Sequence, residues 1–175
     1  GIDVGIFVKK DLPFYIEYKS HRKEKWVDPT DGDKNPLFSR DVPEMRIYKE
    51  KPADKTVAPN FIVIGTHYKS KRERPDDPES RIYRKAQVER TSQLVREIWD
   101  EFNGKRIPVM LTGDFNGEMH FEDEFKSLWG APDFADTLPD WVPKLDRVTH
   151  TFHPRGAPVK FSQLDAVLIT KDWRK

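Results

Sequence analysis

The sequence predicts an α/β protein built around a mixed β-sheet. Two largely apolar segments, 61–66 and 108–112, have the length and composition of buried strands. Between them, apolar residues recur at helical spacing and predict a long helix over 81–102. Further strands are predicted at 148–153 and 161–170. This order of strand, helix, strand and paired strands is typical of a mixed sheet with helices packed against it.

The remaining segments are predicted in chain order. Residues 1–8 are rich in Ile and Val and predict a short strand, buried at its end. The polar segment 9–40 carries prolines and predicts a strand near 14–18 followed by a long loop. Asn103-Gly104 is expected to end the helix. The other predictions are a strand at 45–48, a hairpin loop at 49–59, a short helix within 121–129 and a loop at 133–146.

The composition excludes several classes of protein. The chain has 175 residues, 36% of them hydrophobic, and a net charge of +1, which argues against disorder. It has no apolar stretch of about 18 residues, so no transmembrane segment is expected. The absence of Cys excludes a disulfide framework, a thiolate zinc site and a cysteine nucleophile. The nearly equal numbers of acidic and basic residues indicate no particular class of partner, so binding of nucleic acid or lipid would require a local patch of charge.

The segment Gly113-Asp114-Phe115-Asn116-Gly117 is the most specific local signal. Asp114 and Asn116 follow an apolar strand and are two residues apart, so in extended chain both side chains point the same way. A carboxylate there can accept a proton or bind a cation, and an amide beside it can orient a charged group. The alternative is a turn in which both side chains bind backbone amides. The pentapeptide leaves both interpretations open.

His67 ends the other apolar strand and could be either a structural or a catalytic histidine. The cations that follow it, including Lys69 and Arg72, could form a solvated charged loop or a phosphate-binding loop. Asp165 interrupts an apolar strand that is expected to be buried, so its carboxylate would need a hydrogen-bond partner. The chain contains no glycine-rich nucleotide-binding loop and no nucleophile elbow.

These pieces together resemble the endonuclease/exonuclease/phosphatase superfamily, which has the deoxyribonuclease-I-like fold. The resemblance covers residues 1–170 and is carried by segment 62–70 with His67, by Gln87, by segment 109–116 with Asp114 and Asn116, by Thr151-Phe152, and by segment 163–169 with Asp165. It implies a single partial domain over 1–175 with a four-layer α/β/β/α sandwich, incomplete in this chain.

The resemblance also implies roles for individual residues. Asp114 matches the carboxylate that orients or deprotonates the attacking water, and it is a candidate metal ligand. Asn116 matches the amide that steadies the phosphate. His67 matches a candidate general acid or phosphate ligand, and Asp165 matches the carboxylate that orients a second histidine. Lys69 and Arg72 are weaker candidates for phosphate binding.

The chain also departs from the family pattern. A metal-binding Glu is expected upstream of Gly1 and a Ser-Asp-His motif downstream of Asp165, and neither occurs in these residues. We therefore expect the chain to be part of a longer domain and to show at most trace activity by itself.

The function expected from the resemblance is Mg²⁺-dependent hydrolysis of phosphate esters, with Mn²⁺ or Ca²⁺ as possible substitutes. A nuclease-like phosphodiesterase acting on nucleic acid is preferred, and phospholipid, sphingolipid or inositol phosphate substrates are the alternatives. A different possibility is a non-catalytic scaffold with the same fold. No obligate protein partner is inferred, and the compartment is left open, with secretion or a periplasmic location compatible with the sequence.

Overall fold

The computed structural model describes residues 3–138 and 141–174. Two helices are formed, α1 Arg81–Glu101 and α2 Lys126–Trp129, together with short 3-10 turns at Pro78–Ser80, Asp123–Phe125, Lys144–Arg147 and Lys171–Arg174. The strands are β1 Tyr15–Ser20, β2 Lys25–Val27, β3 Lys34–Pro36, β4 Pro43–Tyr48, β5 Phe61–His67, β6 Val109–Asp114, β7 Phe134–Asp136, β8 His150–Phe152, β9 Lys160–Ser162 and β10 Asp165–Thr170.

Six of the strands form one mixed sheet in the order β1-β4-β5-β6-β10-β7. The central pair, β5 and β6, is parallel because α1 connects the two strands across one face. The other neighbouring strands of this sheet run antiparallel. Two separate hairpins, β2–β3 and β8–β9, lie outside the main sheet.

The hydrophobic core lies between this sheet and α1. Alternate residues of the strands face the helix, and the helix presents a matching apolar stripe to them. The buried residues of this layer include Ile62, Ile64, Val109, Leu111 and Leu168 from the sheet and Val88, Leu94, Val95 and Ile98 from α1. The strands predicted at 61–66 and 108–112 and the helix predicted at 81–102 are therefore confirmed, and their apolar spacing is what packs them together.

The opposite face of the sheet is more open. Val63, Met110 and Ile169 are only half-buried there, and Val167 is 36% exposed. The chain thus supplies one sheet and one helical layer, which is the partial α/β sandwich that the sequence predicts. No described helix is both long enough and apolar enough to cross a membrane.

The boundaries of α1 follow from local chemistry. The buried carboxylate of Asp77 accepts the backbone N–H groups of Ile82 at 2.8 Å and Tyr83 at 3.1 Å, which would otherwise lack partners in the first turn. At the other end, Gly104 has φ +75° and its N–H donates to the Trp99 carbonyl at 2.8 Å. This glycine closes the last turn, and the predicted stop at Asn103-Gly104 is confirmed.

Four predictions along the chain are wrong. The strand predicted over 161–170 is two strands, and only the first, β9, pairs with β8, whereas β10 pairs with β6 and β7. Residues 3–8 do not form a strand, and Phe7 is 99% exposed, because this segment pairs with no described strand; residues 1 and 2 lie outside the described residues. The loop predicted to follow β1 contains the hairpin β2–β3. The loop predicted at 133–146 contains β7, which pairs with β10, and its positions 139 and 140 lie outside the described residues.

Candidate functional site

His67, Asp114 and Asp165 lie side by side at one edge of the sheet. His67 pairs in register with Asp114 across the parallel β5–β6 ladder, and Asp165 pairs with Asp114 across the antiparallel β10–β6 ladder. Paired residues on neighbouring strands point to the same face. The three side chains therefore converge on the open face of the sheet, opposite α1, and we call them the edge triad.

A glycine permits the close approach of strands beneath the edge triad. Gly113 has φ +140°, and a Cβ atom built on it would lie 1.9 Å from the backbone oxygen of Thr66. No side chain fits at that distance, so only glycine allows β6 to run this close to β5. The glycine that precedes Asp114 in the sequence is therefore needed to bring Asp114 next to His67.

Asp114 uses its two carboxylate oxygens differently. Its Oδ1 accepts the backbone N–H of Asn116 at 2.8 Å, and its Oδ2 lies 3.4 Å from Nε2 of His67. Asn116 has φ +51° and donates from Nδ2 to the Tyr68 carbonyl at 2.9 Å. The turn that the pentapeptide allows is thus present, and it leaves one oxygen of Asp114 directed at the imidazole.

The environment of His67 favours its neutral form. Burial lowers the pKa of His67, the Arg40 guanidinium lowers it further, and the carboxylates of Asp114 and Asp165 act in the opposite direction. The net pKa is below that of an ordinary histidine. A neutral imidazole can accept a proton or a hydrogen bond near pH 7, which is the state that acid–base chemistry requires.

Arg40 is a site residue that the sequence analysis missed. Its Nη1 donates to the Tyr68 carbonyl at 3.5 Å, the same oxygen that accepts Nδ2 of Asn116. Arg40 comes shortly before β4, and β4 runs antiparallel to β5, so the start of β4 lies at the same edge as the end of β5. The hairpin predicted between 45–48 and 61–66 already implied this placement.

The two weaker candidates lie in the loop after β5. The ammonium of Lys69 lies 5.4 Å from the centre of the Tyr83 ring, and burial together with nearby arginines lowers the pKa of Lys69. Arg72 is exposed, and its backbone carbonyl accepts the hydroxyl of Ser80 at 2.7 Å. The structure brings neither cation into contact with the edge triad.

Asp165 differs from its sequence-based expectation. It is the first residue of β10, and its side chain is exposed rather than buried. Its backbone N–H and that of Leu164 both donate to Oγ1 of Thr149, at 3.0 and 2.9 Å. The carboxylate therefore needs no buried partner, because the strand leaves solvent access at its first position.

Comparisons with known proteins rest on structure alone. No family model matches the chain, and no curated protein matches it. The human Nocturnin catalytic domain, solved with a bound sulfate anion, aligns over 90% of this chain and 48% of its own with a TM-score of 0.56 and 17% identity. This chain has the deoxyribonuclease-I-like fold.

Two Bacteroides thetaiotaomicron proteins were also found. One is an endonuclease/exonuclease/phosphatase family protein, with a TM-score of 0.48, 15% identity and coverage of 90% of this chain and 50% of its own. The other is the mannosyl-6-phosphatase Bt3783, with a TM-score of 0.48, 15% identity and coverage of 90% and 53%. The chain thus spans about half the length of the solved structures that it matches.

A metal site is not assembled by the described residues alone. Asp114 and Asp165 supply carboxylate oxygens, the donors that Mg²⁺ prefers. However, no group of three or more carboxylates or imidazoles within residues 3–138 and 141–174 is arranged to hold an ion. These residues therefore fit a divalent cation only as part of a larger donor set.

Proposed function

We propose that the edge triad is part of the active site of a phosphate-ester hydrolase, with nucleic-acid phosphodiesters as the preferred substrate. The observation that carries the proposal is the in-register convergence of His67, Asp114 and Asp165 on three adjacent strands. Polar groups seldom gather at one edge of an apolar sheet without a function, and ligands of α/β sheets bind beyond such strand ends.

The surroundings of each residue suit a specific role in the proposed reaction. Oδ2 of Asp114, directed at His67, would accept the proton of the attacking water or hold that water in line with phosphorus. His67, kept neutral by burial and by Arg40, would hydrogen-bond to a phosphate oxygen or exchange a proton with it. The guanidinium of Arg40 would stabilise the negative charge that develops on the phosphoryl oxygens.

Asn116 would act by position rather than by contact with the reacting atoms. Its bond to the Tyr68 carbonyl fixes the loop after β6 against the end of β5, and its N–H fixes the rotamer of Asp114. Lys69 and Arg72 would contribute to the positive potential that attracts a phosphate-bearing substrate. A divalent cation, Mg²⁺ with Mn²⁺ or Ca²⁺ as substitutes, would supply Lewis-acid charge neutralisation when bound.

The test is hydrolysis of bis(p-nitrophenyl) phosphate and of a short oligonucleotide by the protein expressed at full length. Asp114→Asn should lower kcat by about a hundredfold or more, the size expected for loss of a positioned acid–base group. Its fold should survive, because an Asn side-chain oxygen can still accept the Asn116 N–H. A chelator should abolish activity, and added Mg²⁺ should restore it.

Asp123→Asn is the matched control, because Asp123 is exposed and its carboxylate pairs with Lys126, outside the edge triad. Activity unchanged by Asp114→Asn, together with a lower melting temperature, would assign Asp114 to the turn alone. A full-length protein with no activity on nucleic acid, phospholipid, sphingomyelin or inositol phosphate would favour a non-catalytic scaffold.

A further inference from the structure

Gln87 is a buried polar side chain of α1 whose amide binds two loops. The side chain is 1% exposed, and both ends of its amide are used. Oε1 accepts the backbone N–H of Lys69 at 2.7 Å, and Nε2 donates to the carbonyl of Leu37 at 2.9 Å. A carboxamide carries an acceptor and a donor side by side, which is what these two bonds require.

The Lys69 N–H belongs to the same peptide unit as the Tyr68 carbonyl. This carbonyl accepts Nδ2 of Asn116 at 2.9 Å and Nη1 of Arg40 at 3.5 Å. The unit is trans, so its N–H and its carbonyl point in opposite directions. Because Gln87 holds the N–H toward α1, the carbonyl points away from α1.

The direction of this carbonyl is relevant to the candidate site, because the edge triad also lies on the face of the sheet opposite α1. The carbonyl binds the side chain of Asn116, whose backbone N–H fixes the carboxylate of Asp114. It also binds the guanidinium of Arg40, to which the proposed function assigns the phosphoryl charge. One peptide unit therefore connects a side chain of the core layer to groups around the edge triad.

The second bond of Gln87 holds the segment that carries Arg40. Leu37 comes three residues before Arg40, and Leu37, Phe38 and Val42 are all buried in the hydrophobic core. The same amide thus fixes the carbonyl that accepts from Arg40 and the piece of backbone from which Arg40 extends.

Arg84, one turn earlier in α1, restrains the same loop. Its Nη1 donates to the carbonyl of Lys69 at 3.1 Å. Lys69 is therefore bonded to α1 through both its N–H and its carbonyl, and these bonds satisfy backbone groups that are shielded from water. Rotation of the peptide unit between Tyr68 and Lys69 would break the bond to Gln87 together with both bonds at the Tyr68 carbonyl.

We propose that Gln87 is a positioning residue that aims the Tyr68 carbonyl at the candidate site and thereby fixes Asn116 and Arg40. Its effect on hydrolysis rests on the proposed function, whereas its effect on the two side chains does not. Gln87 acts through these side chains and contacts no reacting group.

The first test needs no activity and measures hydrogen exchange by NMR on the full-length protein. In Gln87→Met, the Nδ2 protons of Asn116 should exchange about 2-fold to 10-fold faster than in the unmodified protein, the range for loss of one hydrogen bond. Met suits a helix as well as Gln does, so the change removes the amide with little effect on α1 itself.

The unmodified protein provides a measurement that does not depend on the folding of the variant. The Lys69 amide should exchange at least about 2-fold more slowly than the amide of exposed Lys71, after correction for sequence, because Gln87 accepts it. Exchange at the same rate would overturn the proposal.

Ser92→Ala is the matched control. Ser92 is also fully buried in α1, but its hydroxyl lies 3.2 Å from that of Ser127 in α2, away from Lys69. Its loss should leave the exchange of Asn116 unchanged. Equal acceleration by Gln87→Met and Ser92→Ala would assign Gln87 to general stability and overturn the proposal.

The second test compares hydrolysis of bis(p-nitrophenyl) phosphate by Gln87→Met, Arg40→Gln and the double variant. Gln87→Met should lower kcat by up to about 100-fold with little change in KM, the effect of misplaced catalytic groups. The double variant should lose less than the product of the two single losses, because Gln87 acts partly through Arg40.

The two proposals fail differently. An unchanged kcat in Gln87→Met, or losses that multiply in the double variant, would overturn the positioning role even in an active hydrolase. Faster exchange of Asn116 in Gln87→Met, in a protein that hydrolyses no phosphate ester, would support the positioning of the side chains and refute the hydrolase.

Discussion

His67 lies in the field of one guanidinium and two carboxylates. Arg40 lowers the pKa of its imidazole, and Asp114 and Asp165 raise it, on top of the lowering caused by burial. The pKa of His67 in the folded chain is below that of an unfolded histidine, so the unfolded chain binds this proton more tightly. Protonation of His67 therefore opposes folding, and its contribution to the free energy of unfolding decreases as the pH falls through the unfolded pKa. The balance of these charges sets the proton affinity of the site.

Opposite shifts are expected when the two kinds of neighbour are removed. Arg40→Gln should raise the pKa of His67, because a nearby cation no longer disfavours imidazolium. Asp165→Asn should lower it, because a favourable carboxylate is lost. The measurement is an NMR titration of the His67 ring protons, and shifts of the same sign in both variants would show that these groups do not act on His67 electrostatically.

Residue chemistry was predictable from the sequence where polar residues end apolar strands. His67 and Asp114 stand out for that reason, and the register brings them together as neighbouring strands require. Arg40 was missed because it lies in a long polar segment where one more cation does not stand out, although the predicted hairpin between 45–48 and 61–66 places it at this edge. The exposure of Asp165 was missed because an apolar run does not show which of its residues begins the strand.

The β5–β6 pair is the element on which the site depends. Its parallel ladder runs from the pair Ile62 and Val109 to the pair His67 and Asp114. At Gly113 the two strands lie too close together for any side chain. Buried apolar side chains stabilise this pair, and the polar residues at its end belong to the candidate site. The length and apolar character of both strands made them predictable.

Gly113→Ala should destabilise the fold by several kcal/mol, about 3 or more, because a Cβ atom would clash with the Thr66 backbone and φ is unfavourable. Gly5→Ala is the control, since a Cβ atom there meets only the Phe7 ring, at the ordinary contact distance of 3.9 Å. It should change stability by less than about 0.5 kcal/mol. Equal denaturant midpoints for the two variants would mean that the strands can separate at Gly113 without cost.

Three short strands were not predicted. Strands β2, β3 and β7 have three residues each, which is too few to show a period of two. β7 forms because β10 is available to pair with it, and β2 and β3 form because they pair with each other. The opposite error arose at residues 3–8, whose β-branched composition is typical of a strand but which pair with no described strand.

At the scale of the whole molecule, buried ion pairs join loops that the core does not reach. The Arg84 side chain is fully buried in α1 and donates to the carbonyls of Lys69 at 3.1 Å and Glu79 at 3.0 Å and to Glu124 at 2.6 Å. Gln87 adds bonds to the Lys69 N–H and the Leu37 carbonyl. These contacts hold the loop after β5 and the turn before α2 against the helix.

Arg84→Met should destabilise the protein by about 3–5 kcal/mol, because it leaves the buried Glu124 carboxylate poorly compensated. Arg81→Ala should cost about 1 kcal/mol or less, although Arg81 pairs with the same carboxylate, because its side chain is 52% exposed. Chemical denaturation compares the two. Similar losses from both variants would show that burial does not determine the contribution of these arginines.

The central claim is that His67 and Asp114 act as one unit in phosphate-ester hydrolysis. The most direct measurement is kcat/KM of the full-length protein for a phosphodiester, with His67→Gln, Asp114→Asn and the double variant, each checked for an unchanged fold. Each single change should lower kcat/KM about a hundredfold or more, and the double variant should lose little beyond the larger single loss, because groups that work together are not additive. Losses that multiply in the double variant, or a fully active His67→Gln protein, would contradict the claim.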